Sequence, residues 1–109
     1  MELDPEDISC KSKFMARFKK FADTKHGRTH EIYMATVKRI YAFDVNADQL
    51  VFDDVTVGWL RRFDAFMAET SGSRNARNIH LRNIRTVFND AIDDEITTSY
   101  PFRRFKIRP

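Results

Sequence analysis

The chain has one cysteine, Cys10, so no internal disulfide can form and no paired-cysteine metal site exists. It has three glycines and three prolines, too few for a many-turned β architecture. No apolar run approaches the ~18 residues of a membrane span, and the acidic first residues are unlike a signal peptide. Glycine-rich phosphate loops, HExxH and GxSxG are all missing. Tyr100 with Arg103 and Arg104 is too compact a group to surround a phosphate, so no catalytic residue is assigned and no cofactor or metal is expected. The last absence is local: residues 73–89 contain no acid at all.

That acid-free stretch opens the segment 73–92, SRNARNIHLRNIRTVFNDAI, the longest clean amphipathic pattern present. Leu81, Ile84, Phe88, Ala91 and Ile92 recur at three-and-four spacing, which predicts a helix with one buried face. The neighbouring sector holds Asn75, Asn78, Arg82, Arg85 and Asn89. Solvated helix faces ordinarily mix acids with bases, because opposite charges three or four apart stabilise them. Four arginines, four asparagines and a histidine without a carboxylate instead suit phosphates and base edges. Arg77 points into the apolar sector, where its stem can cover the core. Ile79 falls on the polar side, best read as a chance exposed residue rather than a thymine-methyl contact.

Ten phenylalanines among 109 residues support a genuine core in one domain. Asp4 and Pro5 make a helix start, and the first helix is expected to run to about Thr24 with Phe14, Phe18, Phe21 and Ala22 inward. Its lysines are read as a solvated face. Gly27 suits a left-handed helix stop, and Thr29 is the expected N-cap of a second helix to about Phe43. Residues 44–54 form a polar connector with Leu50, Val51 and Phe52 tucked inward. Thr56 caps a third, acidic-flanked helix with Val55 stapled on Leu60. Ser73 caps the fourth. Its acidic end at Asp93, Asp94 and Glu95 opposes the helix dipole. Residues 97–109 read as an extended, apolar tail that packs on something. The expectation is an all-α, four-helix domain over residues 1–96 and a linker over 97–109.

Charge alternates in blocks: nine bases and two acids over residues 11–40, six acids and two bases over 41–72, then four bases and one acid over 73–92. One basic and one acidic surface follow. The second helix offers Arg28, Thr29, His30 and Lys38 as phosphate contacts. The fourth offers Arg74, Asn75, Asn78, Arg82, Asn83 and Arg85, the arginines for phosphates and the asparagines for phosphates or base edges.

Several stretches together resemble the phage-integrase SAM-like, core-binding domain of tyrosine site-specific recombinases from bacterial mobile elements or phages. They are Phe14 and Phe18, Thr29 to Tyr33, Leu50 to Thr56, the Trp59–Leu60–Phe63–Phe66–Met67 set, Asn78 to Ile92, and Tyr100-Pro101-Phe102. The resemblance spans about residues 10–107. It implies a compact SAM-like orthogonal bundle that clamps one side of double-stranded DNA, its second and fourth helices crossing the major groove. The catalytic Arg, His and Tyr would belong to a C-terminal domain of the same parent chain, outside these residues. It further implies partner protomers in a synaptic assembly, no membrane, and a bacterial cytoplasm with nucleoid association when bound. Glu31 departs from the family, which often has a base there. The alternative is a helical protein-interaction module without useful DNA affinity, working through the apolar tail and the acidic third helix.

Overall fold

Phe14, Met15, Phe18 and Ala22 share one side of a helix, and in the computed structural model that side is fully buried. This is α1, Phe14–Ala22. The structure describes residues 13–70 and 72–108, so the start expected at Asp4 and Pro5 lies outside the described residues. Three further helices follow: α2, Gly27–Phe43, α3, Val57–Glu69, and α4, Arg74–Asp93. Among the described residues there is no β-strand, only an isolated antiparallel bridge between Lys13 and Val51. The described residues are all-α with four α-helices, as the periodicity predicts.

Phe14 joins the layers. Its ring lies 5.3 Å from Phe52, 5.7 Å from Phe88 and 6.4 Å from Trp59, measured between centroids. One α1 side chain thereby touches the connector, α4 and α3. The edge-to-face geometries at Phe52 and Trp59 suit aromatic quadrupoles. The 44–54 connector reaches this centre through two 3₁₀ turns, Ala47–Gln49 and Phe52–Asp54.

Helix starts show where local chemistry decides. Thr56 Oγ1 accepts from the backbone N–H of Trp59 at 3.1 Å, and Ser73 Oγ accepts from that of Ala76 at 3.1 Å. Each side chain satisfies one N–H that the helix itself leaves open. The expectation for Thr29 is corrected. Gly27 takes φ of +59°, which turns the chain directly from His26 into α2. The N-cap is therefore His26, three residues before the expected one, and Thr29 sits inside the first turn. Gly72 is required by space: a Cβ there would lie 2.8 Å from the Met67 carbonyl oxygen.

The acidic end of α4 acquires a physical account. Glu95 takes φ of +59°, while Ile96 N–H donates to the Ala91 carbonyl and Glu95 N–H to that of Ile92, both at 2.9 Å. This is a Schellman stop, here with glutamate in the left-handed position. Arg17 of α1 then reaches across. Its Nε and Nη2 lie 3.0 and 2.8 Å from Asp90 Oδ2, and Nη2 also bonds Asp94.

The tail is not a free arm. It makes a 3₁₀ turn at Pro101–Arg103 that buries Phe102 against Phe88, with centroids 6.0 Å apart. Phe105 and Ile107 lie partly buried on the same core.

Candidate nucleic-acid interface

α2 and α4 are tied by one buried hydroxyl. Thr36 of α2 is fully buried, and its Oγ1 accepts from Asn83 Nδ2 at 3.0 Å and lies 2.7 Å from His80 Nδ1. A polar group taken from water needs partners of this kind, and these come from the facing helix. The two helices therefore hold a defined mutual position, and each presents an outward stripe.

On α4 the stripe is Asn75, Ile79, Arg82, Thr86 and Asn89, all exposed and following the three-and-four spacing along one side. On α2 it is Arg28, Glu31, Ala35 and Lys38. Arg28, Thr29, Lys38, Arg74, Asn75 and Arg82 are thus solvent-facing, as expected of contact residues, and Arg85 is half-buried. From Arg74 to Asn89 the α4 surface has no carboxylate, and its first acid, Asp90, is engaged by Arg17.

Two expected contact residues are turned inward. Asn83 is 8% exposed and its amide serves Thr36; Asn78 is 6% exposed and donates Nδ2 to the Arg108 carbonyl. Both fall where another segment covers α4, and each amide is committed to that segment. His30 is also partly structural. Its Nδ1 lies 2.9 Å from the Ala22 carbonyl, which only accepts, so Nδ1 carries the proton and pins the start of α2 to the end of α1. The cap position, His26, makes no side-chain hydrogen bond, so the first N–H groups of α2 lack a side-chain cap.

Charge around the junction is positive. Burial, with a smaller contribution from nearby Arg39, lowers the His80 pKa from its ordinary value and favours the neutral ring. Arg39 also donates to Thr70 Oγ1 at 3.1 Å, just before α4. Arg77 joins α4 to α3, its Nε 2.9 Å from Asp64 Oδ1 and its Nη1 2.9 Å from the Gly72 carbonyl. Ile79 is 37% exposed on the polar side. The α1 lysines include one with partners: Lys19 lies over the Tyr41 ring and 3.7 Å from Asp48.

A family model described as the phage integrase SAM-like domain matches residues 11–107. The chain belongs to that family. No curated protein and no solved structure matches it significantly. The match fits the helical architecture, and it places the α2–α4 pair inside an integrase-family SAM-like domain. Among the described residues of this SAM-like domain, no three His, Cys, Asp or Glu side chains gather where they could hold a metal ion. No helix among them is long and apolar enough to cross a membrane.

Residue-type reasoning passed over a second basic region of the SAM-like domain. Arg61 of α3, Arg74 of α4 and Arg104, Lys106 and Arg108 of the tail line one cleft. The available signal was the alternation in Phe102-Arg103-Arg104-Phe105-Lys106-Ile107-Arg108, where apolar residues anchor and cations remain outside.

Proposed function

We propose that this domain is the non-catalytic DNA-binding module of a tyrosine site-specific recombinase. It holds duplex DNA at the core recombination site while a catalytic domain of the same parent chain closes from the other side. The observation that carries this reading is the acid-free outward stripe of α4, held beside α2 by the Thr36 hydrogen bonds. Arg74, Arg82 and Arg85 meet phosphates, with Asn75 beside them. Arg28, Thr29 and Lys38 extend the contact onto α2, where the first N–H groups without a side-chain cap favour an anion. Asn78 and Asn83 act from behind by fixing the tail and α2. Residues 97–109 then serve as the linker, and the other protomers of a synaptic assembly are the protein partners. The competing reading, a protein-interaction module working through an apolar tail, has less surface to use, because Phe102 is buried against the domain's own Phe88.

The test is a fluorescence-anisotropy titration of duplex DNA across a salt series. Binding weakens steeply with salt, and Arg82→Ala with Arg85→Ala lowers affinity roughly tenfold or more and reduces the log–log salt slope by about 2. A salt-insensitive titration, or a double variant that binds like the parent, defeats the proposal.

A further inference from the structure

The tail's cations are positioned by its apolar residues. Phe102 is buried, and Phe105 and Ile107 pack on the core, while Arg104, Lys106 and Arg108 remain exposed. From Phe105 onward this is the two-residue alternation of an extended chain. Asn78, nearly buried, fixes the far end by donating to the Arg108 carbonyl. Docked in this way, the tail closes a cleft of about 290 Å³ against α3 and the first two turns of α4.

The lining is electrostatically one-sided. Arg61, Arg104, Lys106 and Arg108 face the cleft, and none of them has an ion-pair partner among the described residues. The one carboxylate in the lining, Asp64, is held by Arg77. Leu81, Phe105 and Ile107 complete the walls with apolar surface, which raises the field between the charges. Like charges gathered this closely repel one another, and a polyanion relieves that repulsion. The guanidinium forks match phosphate oxygens two at a time. The volume lies at the foot of the ~300–1,000 Å³ range of small-molecule sites, so it suits one or two phosphate groups better than a whole nucleotide.

We propose that this cleft is a phosphate-binding site, distinct from the α2–α4 stripe except for Arg74, which borders both, and formed only when the tail is docked. Whatever binds the docked form holds the tail down, so phosphate binding and tail docking reinforce each other. The phosphate comes either from a nucleic-acid backbone or from a free phosphate compound.

The probe is inorganic pyrophosphate, titrated into the full 109-residue chain at fixed ionic strength and followed by amide NMR shifts. Saturable shifts are expected at residues 74–78 and 104–108. Affinity falls roughly tenfold in Arg104→Gln with Lys106→Gln, which removes two charge-assisted contacts but keeps the apolar anchors. Arg82→Gln, on the other face, leaves it unchanged. Asn78→Ala removes no cation, yet weakens pyrophosphate by loosening the tail; circular dichroism confirms that each variant remains folded. Shifts spread evenly over all basic residues, or equal affinity in the tail double variant, overturn the site. Unchanged affinity in Asn78→Ala overturns its dependence on the docked tail. In a competition arm, displacement of pyrophosphate by a short DNA duplex assigns the phosphate to a nucleic-acid backbone. Pyrophosphate binding that the duplex leaves untouched assigns it to a free compound. Because the α4-stripe variants are read separately against DNA, failure of either proposal is distinguishable from failure of the other.

Discussion

The two ends of α4 carry opposite charge, and both run against the helix dipole. Its N-terminus, which favours anions, carries Arg74 and Arg77 and stands beside the tail cations; its C-terminus, which favours cations, carries Asp90, Asp93 and Asp94. The acidic end is compensated from within the fold, by Arg17 spanning Asp90 and Asp94. At the basic end, Asp64 of α3 pairs with Arg77. Arg61, Arg104, Lys106 and Arg108 have no ion-pair partner among the described residues. A helix end that opposes its own dipole is therefore informative once its partners are known. Where another helix supplies the countercharge, as Arg17 does for Asp90 and Asp94, the end is structural; unpaired cations gathered beside an end, as in the tail, suit an external anion.

Breaking the internal compensation should have the largest effect. Arg17→Met keeps the stem but removes the bonds to Asp90 and Asp94. Hydrogen bonds to charged groups contribute about 1.5–3 kcal/mol, and partial exposure of these carboxylates reduces that to roughly 1–2 kcal/mol here. The urea midpoint should fall accordingly, and the deficit should narrow in concentrated salt, which screens the repulsion left among the acids. A midpoint identical to the parent's would mean that α1 does not compensate this end.

The same end can be sharpened in the other direction. Glu95 occupies a left-handed conformation that costs a non-glycine residue about 1–2 kcal/mol, and it adds one more acid where the dipole disfavours it. Glu95→Gly relieves both, offset by the larger entropy of an unfolded glycine. A gain of about 0.5–1 kcal/mol in thermal or urea unfolding is expected. A loss of stability would show that the glutamate side chain makes a favourable contribution outweighing its backbone strain.

These contrasts show which parts of the molecule were readable from residue order. Thr56 and Ser73 were, because a cap bonds a backbone N–H three residues away and needs no distant partner. The α4 core face was, because its period is local, and Asn75, Arg82 and Asn89 of the exposed stripe followed from it. Asn78 and Asn83 were misplaced because their partners lie 30 and 47 residues away along the chain. An asparagine on a helix is ordinarily assigned to solvent, and only the arrival of Arg108 and Thr36 reverses that. Arg17 and Asp90, 73 residues apart, posed the same difficulty. The tail's alternation of apolar and cationic residues was visible, but where it folds back was not, so the cleft went unnoticed. For the interface, the expected residues share phosphate-contact chemistry, and burial separates Asn78 and Asn83 from the exposed ones.

The smallest expected effect tests the basic half of α4 by adding one more positive charge to it. His80 faces Thr36 and Asn83 and lies near Arg39, and burial first, then that arginine, lowers its pKa. When neutral, its Nδ1 can accept from the Thr36 hydroxyl. Protonation makes Nδ1 a donor and forces the hydroxyl proton toward the Ile32 carbonyl, 3.3 Å away. The unfolded ring titrates near the ordinary value of 6.5 and the folded ring below it. Above 6.5 both states are neutral and His80 leaves stability independent of pH. As pH falls through 6.5 toward the folded value, the unfolded chain takes up the proton first and stability declines. His80→Asn keeps a hydrogen-bonding group near Nδ1 without a titratable ring, so its urea midpoint should lose less between pH 7.5 and pH 5 than the parent's. Parallel profiles for the two proteins would show that this histidine tolerates its charge, and that the basic end is less crowded than its arginines imply.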